Sequence, residues 1–398
     1  MSEIYLSITP HDPIIARDAR PFGFGLRMKS LDWPYPSVLA GSVRTMLGKT
    51  NSNDFDDKTV AALKKVSVAG PLPLCDGHLY LPAPGDVLIE ELHNGARRAH
   101  PLRPAKLRKG EGCNLPNQKL LPTMVPASVE SEFKPADSAA FWSMEKMTAW
   151  LASDAYESFD LPSTSKDDEQ SSDFLDLPAK EFRAHVGIKA ESGSADDGRL
   201  FETIGLDFGA NMQIAVRVDT GAFAWKNSLH PIGGERRLAV WKAGRDPGWS
   251  CPPEIKNAFG EKHHLRMVLA TPAVFSGGWL PGWIDKDTLK GQPPGASRDI
   301  TLRLVSASVG RWKPLSGWSL EKGGPKPIRR LVPAGSVYFF EVTEGNPVDL
   351  VEPLWLRPVS DTMGGQDYGR DGFGLALWGV WNAGNESRTD ANGGVRFD

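Results

Sequence analysis

The sequence lacks the features that mark several large classes of protein. Its 398 residues include only three cysteines, Cys75, Cys113 and Cys251, which lie far apart with no CxxC pair. This spacing argues against a zinc site or a disulfide framework and fits a reducing compartment. The longest apolar run, GLALWGVW, is too short to cross a bilayer, and the opening MSEIYLSITPHD lacks a signal-peptide pattern. We therefore expect a cytoplasmic protein.

Motifs for nucleotide and metal chemistry are missing as well. The sequence contains no GxxxxGK[ST] phosphate loop, no HExxH, no GxSxG and no histidine–cysteine cluster at metal-ligand spacing. We therefore expect no cofactor and no metal. His263 and His264 stand side by side before a predicted strand, but no second candidate at a defined spacing supports acid–base catalysis.

The overall charge gives no sign of a nucleic-acid binder. Net charge is -3, and 41 glycines and 32 prolines favour turns and long loops over a helical bundle. If RNA is the ligand, local patches must hold it, or partner proteins must share it. The chain has 13 tryptophans, and those on patterned segments, such as Trp142, Trp150, Trp378 and Trp381, are expected in the core.

Hydrophobic alternation predicts strands along most of the chain. EIYLSITP and NMQIAVRVD alternate cleanly, and EFRAHVGIKAE, GSADDG and RLFETIGLDF read as a hairpin. Further strands are expected at 266–275, 300–309, 336–342 and 372–381. This pattern predicts an α+β fold with antiparallel sheets.

Two segments have helical spacing of their apolar residues. They cover 37–48 and 138–152, and Asp137 or Ser138 is the expected cap of the second. The acidic stretch STSKDDEQSSD (163–173) has no apolar periodicity and reads as a disordered surface loop.

Positive charge is concentrated in a few short segments. RRAHPLRPAKLRKG (97–110), the basic arm, has no acid, and its two prolines predict an extended loop. Such a loop is a candidate phosphate-binding element, although a solvated loop explains it equally well. ARDARPFGFG, HPIGGERR and DYGRDGFG combine glycines with arginines, so backbone N–H groups and guanidinium groups can approach a phosphate. A hairpin turn explains each one alone, but together with the arm they favour phosphate binding.

These segments also carry a family resemblance. RDARPF followed by PYPSVLAGSVRTMLG resembles the opening of RAMP-superfamily CRISPR proteins, specifically the third RAMP subunit of the type III-B (Cmr) effector complex. RAHVGIKAE, GRLFET, HPIGGERR, VPAGSVYFFEV and DYGRDGFGLALWG follow in order, so the resemblance runs from residue 16 to about 380. Tyr35 stands where a second proline is common in that family.

The resemblance implies a fold and a function. It implies two ferredoxin-like (RRM-type) modules: residues 1–180 with helical and basic-loop insertions, and residues 181–398 ending in a glycine-rich loop and strand. It also implies a non-catalytic, RNA-binding subunit in antiviral defence. Such a subunit contacts the 5′ tag of the CRISPR RNA, the large Palm-domain subunit and the backbone RAMP subunits, and no membrane.

Charge and resemblance together give a set of expected RNA-binding residues, of which those at 97–108 rest on charge alone. The set is Arg17, Arg20, Arg44, Arg97, Arg98, Arg103, Lys106, Arg108, Arg183, His185, Gly233, Gly234, Arg236, Arg237, Gly369, Arg370, Gly372 and Gly374.

Two other functions remain open at the level of sequence. A metal-independent, guide-processing endoribonuclease would need His185, His263 or His264 as acid or base. A carbohydrate-binding or structural β-rich protein would use the tryptophans.

Overall fold

The computed structural model describes residues 3–17, 30–51, 55–107, 110–126, 128–129, 132–161, 173–260, 263–319, 321 and 323–382. Short helices connect its strands, and a 3₁₀ turn covers Gly369–Asp371. The helices are α1 (Pro36–Asn51), α2 (Asp57–Leu63), α3 (Met144–Ala152), α4 (Pro253–Phe259) and α5 (Val348–Leu354).

The strands dominate the described chain. The first fifteen are β1 (Glu3–Pro10), β2 (Ser67–Cys75), β3 (His78–Pro82), β4 (Val87–Glu91), β5 (Arg97–Pro101), β6 (Arg103–Pro104), β7 (Thr123–Met124), β8 (Phe141–Ser143), β9 (Phe159–Leu161), β10 (Phe174–Leu175), β11 (Ala179–Ile188), β12 (Ala195–Asp207), β13 (Met212–Asp219), β14 (Ser228–Pro231) and β15 (Leu238–Gly244). The others are β16 (His264–Leu269), β17 (Ala273–Val274), β18 (Lys290–Gly291), β19 (Thr301–Ser308), β20 (Lys313–Leu315), β21 (Trp318–Ser319), β22 (Gly324–Pro325), β23 (Arg329–Val332), β24 (Val337–Glu344), β25 (Arg357–Pro358), β26 (Thr362–Met363), β27 (Gln366–Asp367) and β28 (Leu375–Val380).

The first large sheet is built around the N-terminal strand. Its order is β10-β8-β3-β2-β13-β1-β15-β14, and β1 pairs antiparallel with β13 and β15. Leu6 and Ile8 alternate toward one face, where they share a buried cluster with Leu39 and Val43 of α1. The period of two in the strand and the helical spacing in α1 therefore produce one core.

The second large sheet is buried more completely. Its order is β18-β19-β24-β16-β28-β25, and β16 pairs antiparallel with β24 and β28. Phe339 and Phe340 are both fully buried although they point to opposite faces, because protein covers both sides of the sheet. The largest cluster of buried residues contains Trp378 and Trp381 together with residues of α3, α4 and α5, which confirms the core position expected for the tryptophans.

The glycine-rich C-terminal turn connects the two sheets. Gly372 has φ +97°, and a Cβ there would lie 2.6 Å from the carbonyl oxygens of Val68 and Gly70 in β2. Arg44 of α1 lies beside it, with Nη1 2.5 Å from Oδ1 of Asp371. The turn therefore packs against β2 and α1 at a distance that only glycine allows.

The structure confirms most of the predicted elements. The antiparallel α+β architecture, the strands and the helix near 37–48 are present. The helix predicted at 138–152 begins only at Met144, and its cap is Ser143, whose Oγ accepts a hydrogen bond from the N–H of Lys146 at 3.0 Å. Phe141 and Trp142 instead form β8, where pairing with β3 buries both side chains. Tertiary burial overrides local periodicity here.

Two further expectations concern the organisation of the chain. The first sheet draws strands from 3–244 and the second from 264–380, so a boundary between 180 and 181 does not coincide with the change of sheet. Residues 162–172, which contain most of the predicted acidic loop, lie outside the described residues. Within the described chain, no helix is long and apolar enough to cross a membrane.

Candidate nucleic-acid interface

The described part of the basic arm, residues 97–107, is extended, as predicted, but part of it is a strand in a small sheet. β5 carries Arg97 and Arg98 and pairs with β4 and β9, which places Glu90 directly opposite Arg98. Nε of Arg98 lies 2.7 Å from Oδ1 of Asp160, and this hydrogen bond lowers the pKa of the Asp160 carboxyl. The charge of Arg98, which looks uncompensated in the sequence, is therefore met by carboxylates of the flanking strands.

Arg103 requires a correction, because it lies in the interior. Its side chain is 3% exposed, and Nη1 lies 3.2 Å from Oδ2 of Asp86. Arg266 reaches the same oxygen at 2.6 Å, and both guanidinium groups stack on the ring of Trp150. Burial lowers the pKa of Arg103 to about 9. In this position Arg103 does not present charge to a ligand, and Arg266, which reaches the same carboxylate, makes the contact between the two halves of the molecule.

The other predicted residues of the N-terminal half differ in their exposure and in their contacts. Arg17 is exposed, and its backbone forms a bridge with Ser30. Lys106 is exposed, whereas Arg20 and Arg108 lie outside the described residues. Arg44 is occupied within the chain: besides Asp371, it donates through Nη2 to the carbonyl oxygen of Val66 at 2.9 Å. RNA contact by these residues stays a prediction.

The central glycine turn packs against the N-terminal segment. The N–H of Gly234 donates to the carbonyl oxygen of Ile15 at 2.7 Å. A Cβ on Gly233, which has φ +70°, would lie 2.5 Å from that same oxygen. Arg236 is exposed on the adjacent tight turn and Arg237 is half-buried. The glycines thus serve a close backbone approach, and Arg236 remains the exposed charge.

The C-terminal glycine turn uses its backbone amides in the same way. The N–H of Gly372 donates to Gly369 at 3.0 Å, and the N–H of Gly374 donates to Pro272 at 2.8 Å. Arg370 is exposed and pairs with Asp367, the two side chains lying 3.3 Å apart. These amides therefore stabilise the turn itself and its attachment to the segment at Pro272, a role that the sequence could not separate from phosphate binding.

The hairpin β11–β12 differs from all of these segments, because it projects from the fold. It forms its own two-stranded sheet and joins the N-terminal segment at its base, where Leu206 forms a bridge with Ile14. Nearly all of its residues from 179 to 202 are exposed or half-buried on both faces. A two-stranded ribbon is only marginally stable in water, so one of this length is typical of a surface that a partner covers.

The register gives the two faces of the hairpin different chemistry. Arg183 lies opposite Thr203, and His185 lies opposite Phe201 with the two rings stacked 5.0 Å apart. Nε2 of His185 lies 2.8 Å from Oγ1 of Thr203. Arg183 is exposed and contacts Glu181. This face presents a guanidinium and a stacked aromatic pair, as an RNA-binding surface does.

The opposite face of the hairpin is largely apolar, with Glu202 as its one acidic residue between Phe182 and Leu200. Phe182 is 54% exposed and Leu200 is 66% exposed, and Val186 lies directly opposite Leu200. Sequence reasoning selected Arg183 and His185 but missed these apolar residues. Their alternation with the charged positions was the available signal, because alternate residues of a ribbon lie on opposite faces.

The three histidines considered as acid or base in the sequence, His185, His263 and His264, do not lie together in the structure. His264 packs its ring edge-on against Trp381 at 4.7 Å, and burial lowers its pKa. His263 is exposed at the start of β16, in the second sheet, whereas His185 lies on the hairpin. Among the residues that the structure describes, no three His, Cys, Asp or Glu side chains are grouped so that they hold a metal ion.

A comparison with known protein families shows the family to which this chain belongs. A model of the family described as CRISPR-associated protein (Cas_Cmr3) matches residues 6–381. The chain belongs to the Cmr3 family. The resemblance seen in the sequence is thereby confirmed, and the chain is a RAMP subunit of the type III-B CRISPR effector, Cmr.

Solved structures similar to this Cmr3-family chain share little sequence with it. One is a chain in the cryo-EM structure of the type III-B Cmr-beta bound to cognate target RNA and AMPPnP, with TM-score 0.46, 13% identity and coverage of 84% of this chain and 86% of that one. Another, with target RNA alone, has TM-score 0.46, 12% identity and the same coverage. A chain of the Csm3-Csm4 subcomplex of type III-A has TM-score 0.36, 10% identity and coverage of 95% and 99%. No curated protein sequence matches.

Proposed function

We propose that this chain is a non-catalytic, RNA-binding subunit of a type III-B CRISPR ribonucleoprotein in the cytoplasm. In this proposal it contacts the 5′ tag of the CRISPR RNA and docks the large Palm-domain subunit beside the backbone RAMP subunits. Membership of the Cmr3 family supports the setting. The projecting hairpin β11–β12 supports the RNA contact, and it is the observation on which the proposal depends.

The hairpin suits a nucleic-acid strand for physical reasons. Arg183 offers a charged fork to a phosphate, and the His185–Phe201 stack offers flat rings to bases. The apolar face with Phe182 and Leu200 gains from being covered by bases or by a neighbouring subunit. One ribbon can thus contact RNA on one face and protein on the other.

The strand order supports ferredoxin-like modules on which such a hairpin is mounted. In that fold the first and third strands are central, the fourth flanks the first and the second flanks the third. The first sheet has this order in β15-β1-β13-β2, and the second has it in β28-β16-β24-β19. We infer two modules of this type, each with one of its two helices replaced by a loop.

The surroundings of the histidines support the non-catalytic part. A general base needs a ring nitrogen directed at substrate. His185 uses Nε2 on Thr203, and His264 is half-buried against Trp381 with a lowered pKa. Cleavage of repeat RNA by the purified subunit in the presence of EDTA would contradict this part of the proposal and favour the guide-processing endoribonuclease.

The RNA contact is tested in the assembled complex. The double variant Arg183→Ala with His185→Ala is compared with Lys242→Ala, an exposed cation on β15 away from the hairpin. We expect the hairpin variant to lower retention of the CRISPR RNA about tenfold under rising salt, because a phosphate contact and a stacking surface are removed. The control variant should behave like wild type. Equal retention in all three proteins would refute the proposed role of the hairpin.

A further inference from the structure

A second segment of the chain is rich in cations, and the proposed function does not use it. Between Gly310 and Leu331 the sequence has six basic residues and one acid, Glu321. Two tryptophans, Trp312 and Trp318, lie among them. Basic residues interleaved with aromatic rings are the composition expected of a surface for single-stranded nucleic acid.

The fold fixes Trp312 at the protein surface. It directly precedes β20, which pairs with β23 so that Pro314 lies opposite Arg330. The guanidinium carbon of Arg330 lies 4.9 Å from the centre of the Trp312 ring. Even so, Trp312 is 50% exposed. An indole held by a stacked guanidinium but half open to solvent is pre-organised to accept another flat group.

A cavity of about 550 Å³ opens beside this ring. Its apolar lining includes Leu121, Trp279 and Val332, and its charged lining consists of Arg311 and Arg330. This volume lies within the range of small-molecule sites, which combine apolar walls with a few polar groups. The cavity therefore offers space for a flat apolar group next to positive charge.

The cations around the ring have no carboxylate partner within the described chain. Arg311, Lys313 and Arg330 are exposed, and none of them forms an ion pair with a described residue. Arg98 of the basic arm, in contrast, is paired with Asp160. Unpaired cations raise the local potential, so this surface attracts an anion although the protein as a whole is slightly acidic.

We propose that Arg311, Trp312, Lys313, Arg330 and the adjoining cavity, together the Trp312 platform, bind an unpaired nucleotide of single-stranded RNA. The base stacks on the exposed part of Trp312 at the mouth of the cavity, and Arg311 and Lys313 contact the flanking phosphates. Stacking on an indole tolerates any base, so the platform holds the strand without reading its sequence. The inference rests on the proposed function, since it takes RNA to be the ligand of this protein.

Charge and ring geometry favour RNA over a protein segment as the occupant. An acidic peptide would satisfy the cations but would leave the half-exposed indole uncovered by a flat partner. A nucleotide carries a flat base and an anionic phosphate on the same sugar. This combination suits Trp312, whose neighbours on both sides in the sequence are cations.

Photo-crosslinking in the complete complex tests the platform directly. The complex is assembled with CRISPR RNA containing 4-thiouridine, irradiated, and digested to map the crosslinked peptides of this subunit. We expect one crosslinked peptide to contain Trp312. A hairpin peptide from 179–207 reports on the proposed function in the same experiment. Crosslinks in the hairpin without any at 310–331 would overturn the platform alone, and crosslinks in neither region would overturn both.

Salt-challenged retention of the RNA adds an energetic test. Trp312→Ala should weaken retention about tenfold, because one stacked base is lost, while Trp312→Phe should keep most of it. Arg311→Ala with Lys313→Ala should reduce the slope of log affinity against log salt by about 1.4, the value for two phosphate contacts on a single strand. Trp318→Ala is the matched control, since Trp318 is 61% exposed but does not line the cavity.

Each result of this comparison decides the proposal. A loss with Trp312→Ala and none with Trp318→Ala supports it. Equal retention by both variants overturns it, and so does a Trp312→Ala variant that keeps its RNA but loses a protein subunit, because the platform is then a protein interface. Far-ultraviolet circular dichroism of each variant checks the fold, which we expect to be intact because the changed side chains are exposed.

Discussion

The basic arm at 97–110 and the Trp312 platform look alike in sequence but differ in structure. In the arm, Arg98 faces carboxylates of neighbouring strands and Arg103 is buried beside Asp86. In the platform, Arg311 and Lys313 are exposed, with no ion-pair partner in the part of the chain that the structure describes. A high density of cations in the sequence therefore does not by itself distinguish a segment whose charges are paired inside the fold from one whose charges raise the local potential.

The largest effect is expected when the buried carboxylate of Asp86 is removed, which tests the contrast between buried and exposed cations. Asp86 is fully buried between Arg103 and Arg266 and also accepts from Nε1 of Trp150 at 3.1 Å. Asp86→Ala leaves two guanidinium groups in the interior without a counter-charge, so we expect a loss of about 3–5 kcal/mol in the free energy of unfolding. Urea denaturation measures it.

The exposed counterpart of that variant is Asp160→Ala, which breaks the surface pair with Arg98. We expect little or no loss in the free energy of unfolding, because solvent screens this pair. If the two variants were equally stable, the interior cluster would not differ from a surface ion pair, and the contrast between buried and exposed cations would be lost.

The next largest effect concerns the glycine turn that joins the sheets. Gly372→Ala adds a Cβ that meets two backbone oxygens of β2 and also occupies positive φ. We expect a loss of about 3 kcal/mol in thermal or urea unfolding. Gly365→Ala is the control, since its φ is +77° but nothing lies within 4 Å of the added Cβ. It should cost only the backbone strain, about 1 kcal/mol. A Gly372→Ala variant as stable as the control would contradict the packing role.

A smaller effect is expected at the exposed central turn. Arg236→Glu with Arg237→Glu should weaken retention of the guide RNA in the assembled complex and reduce its salt dependence, by a slope of about 1.4 if both contact phosphates. Lys242→Glu on β15 is the comparison, a single charge reversal at an exposed strand position. Unchanged salt sensitivity in the double variant would show that this turn, like its two glycines, serves packing alone.

The smallest expected effect is a dependence of the free energy of unfolding on pH, and it comes from His264. Burial lowers the pKa of His264 below its usual 6.5. The unfolded chain therefore binds the proton more readily, so this contribution to stability is complete above pH 6.5 and is lost as the pH falls toward the lower, folded-state pKa. His264→Gln should flatten the stability profile between about pH 7 and pH 5. A profile identical to that of the wild type would contradict it.

Local patterns predicted the elements whose buried residues repeat with the period of the element itself. β1 and α1 were predictable because Leu6 and Ile8, and Leu39 and Val43, repeat with the period of the element they form. The three seven-residue helices were not predicted, since each spans only about two turns and gives little periodic signal.

The exposure of the candidate residues was predictable only in part. Arg183 lies in a segment that carries the family resemblance, and the structure leaves it at the surface, where its contact with RNA stays a prediction. Arg103 was misplaced because its partners come from elsewhere: Asp86 lies 17 residues away, and Arg266 joins that carboxylate across 180 residues. No local pattern contains such a contact, and the same holds for Gly372, whose neighbours are in β2.

The pairing of the first strand has a consequence for synthesis on the ribosome. β1 needs β13 and β15, and the side chains of Thr9 and Gln213, which hydrogen-bond at 2.6 Å, are 204 residues apart. At ordinary elongation rates the nascent β1 waits about 10 to 40 s for its first neighbour. During that interval both of its edges are open to wrong partners, so a polypeptide released early, before Met212, is expected to aggregate.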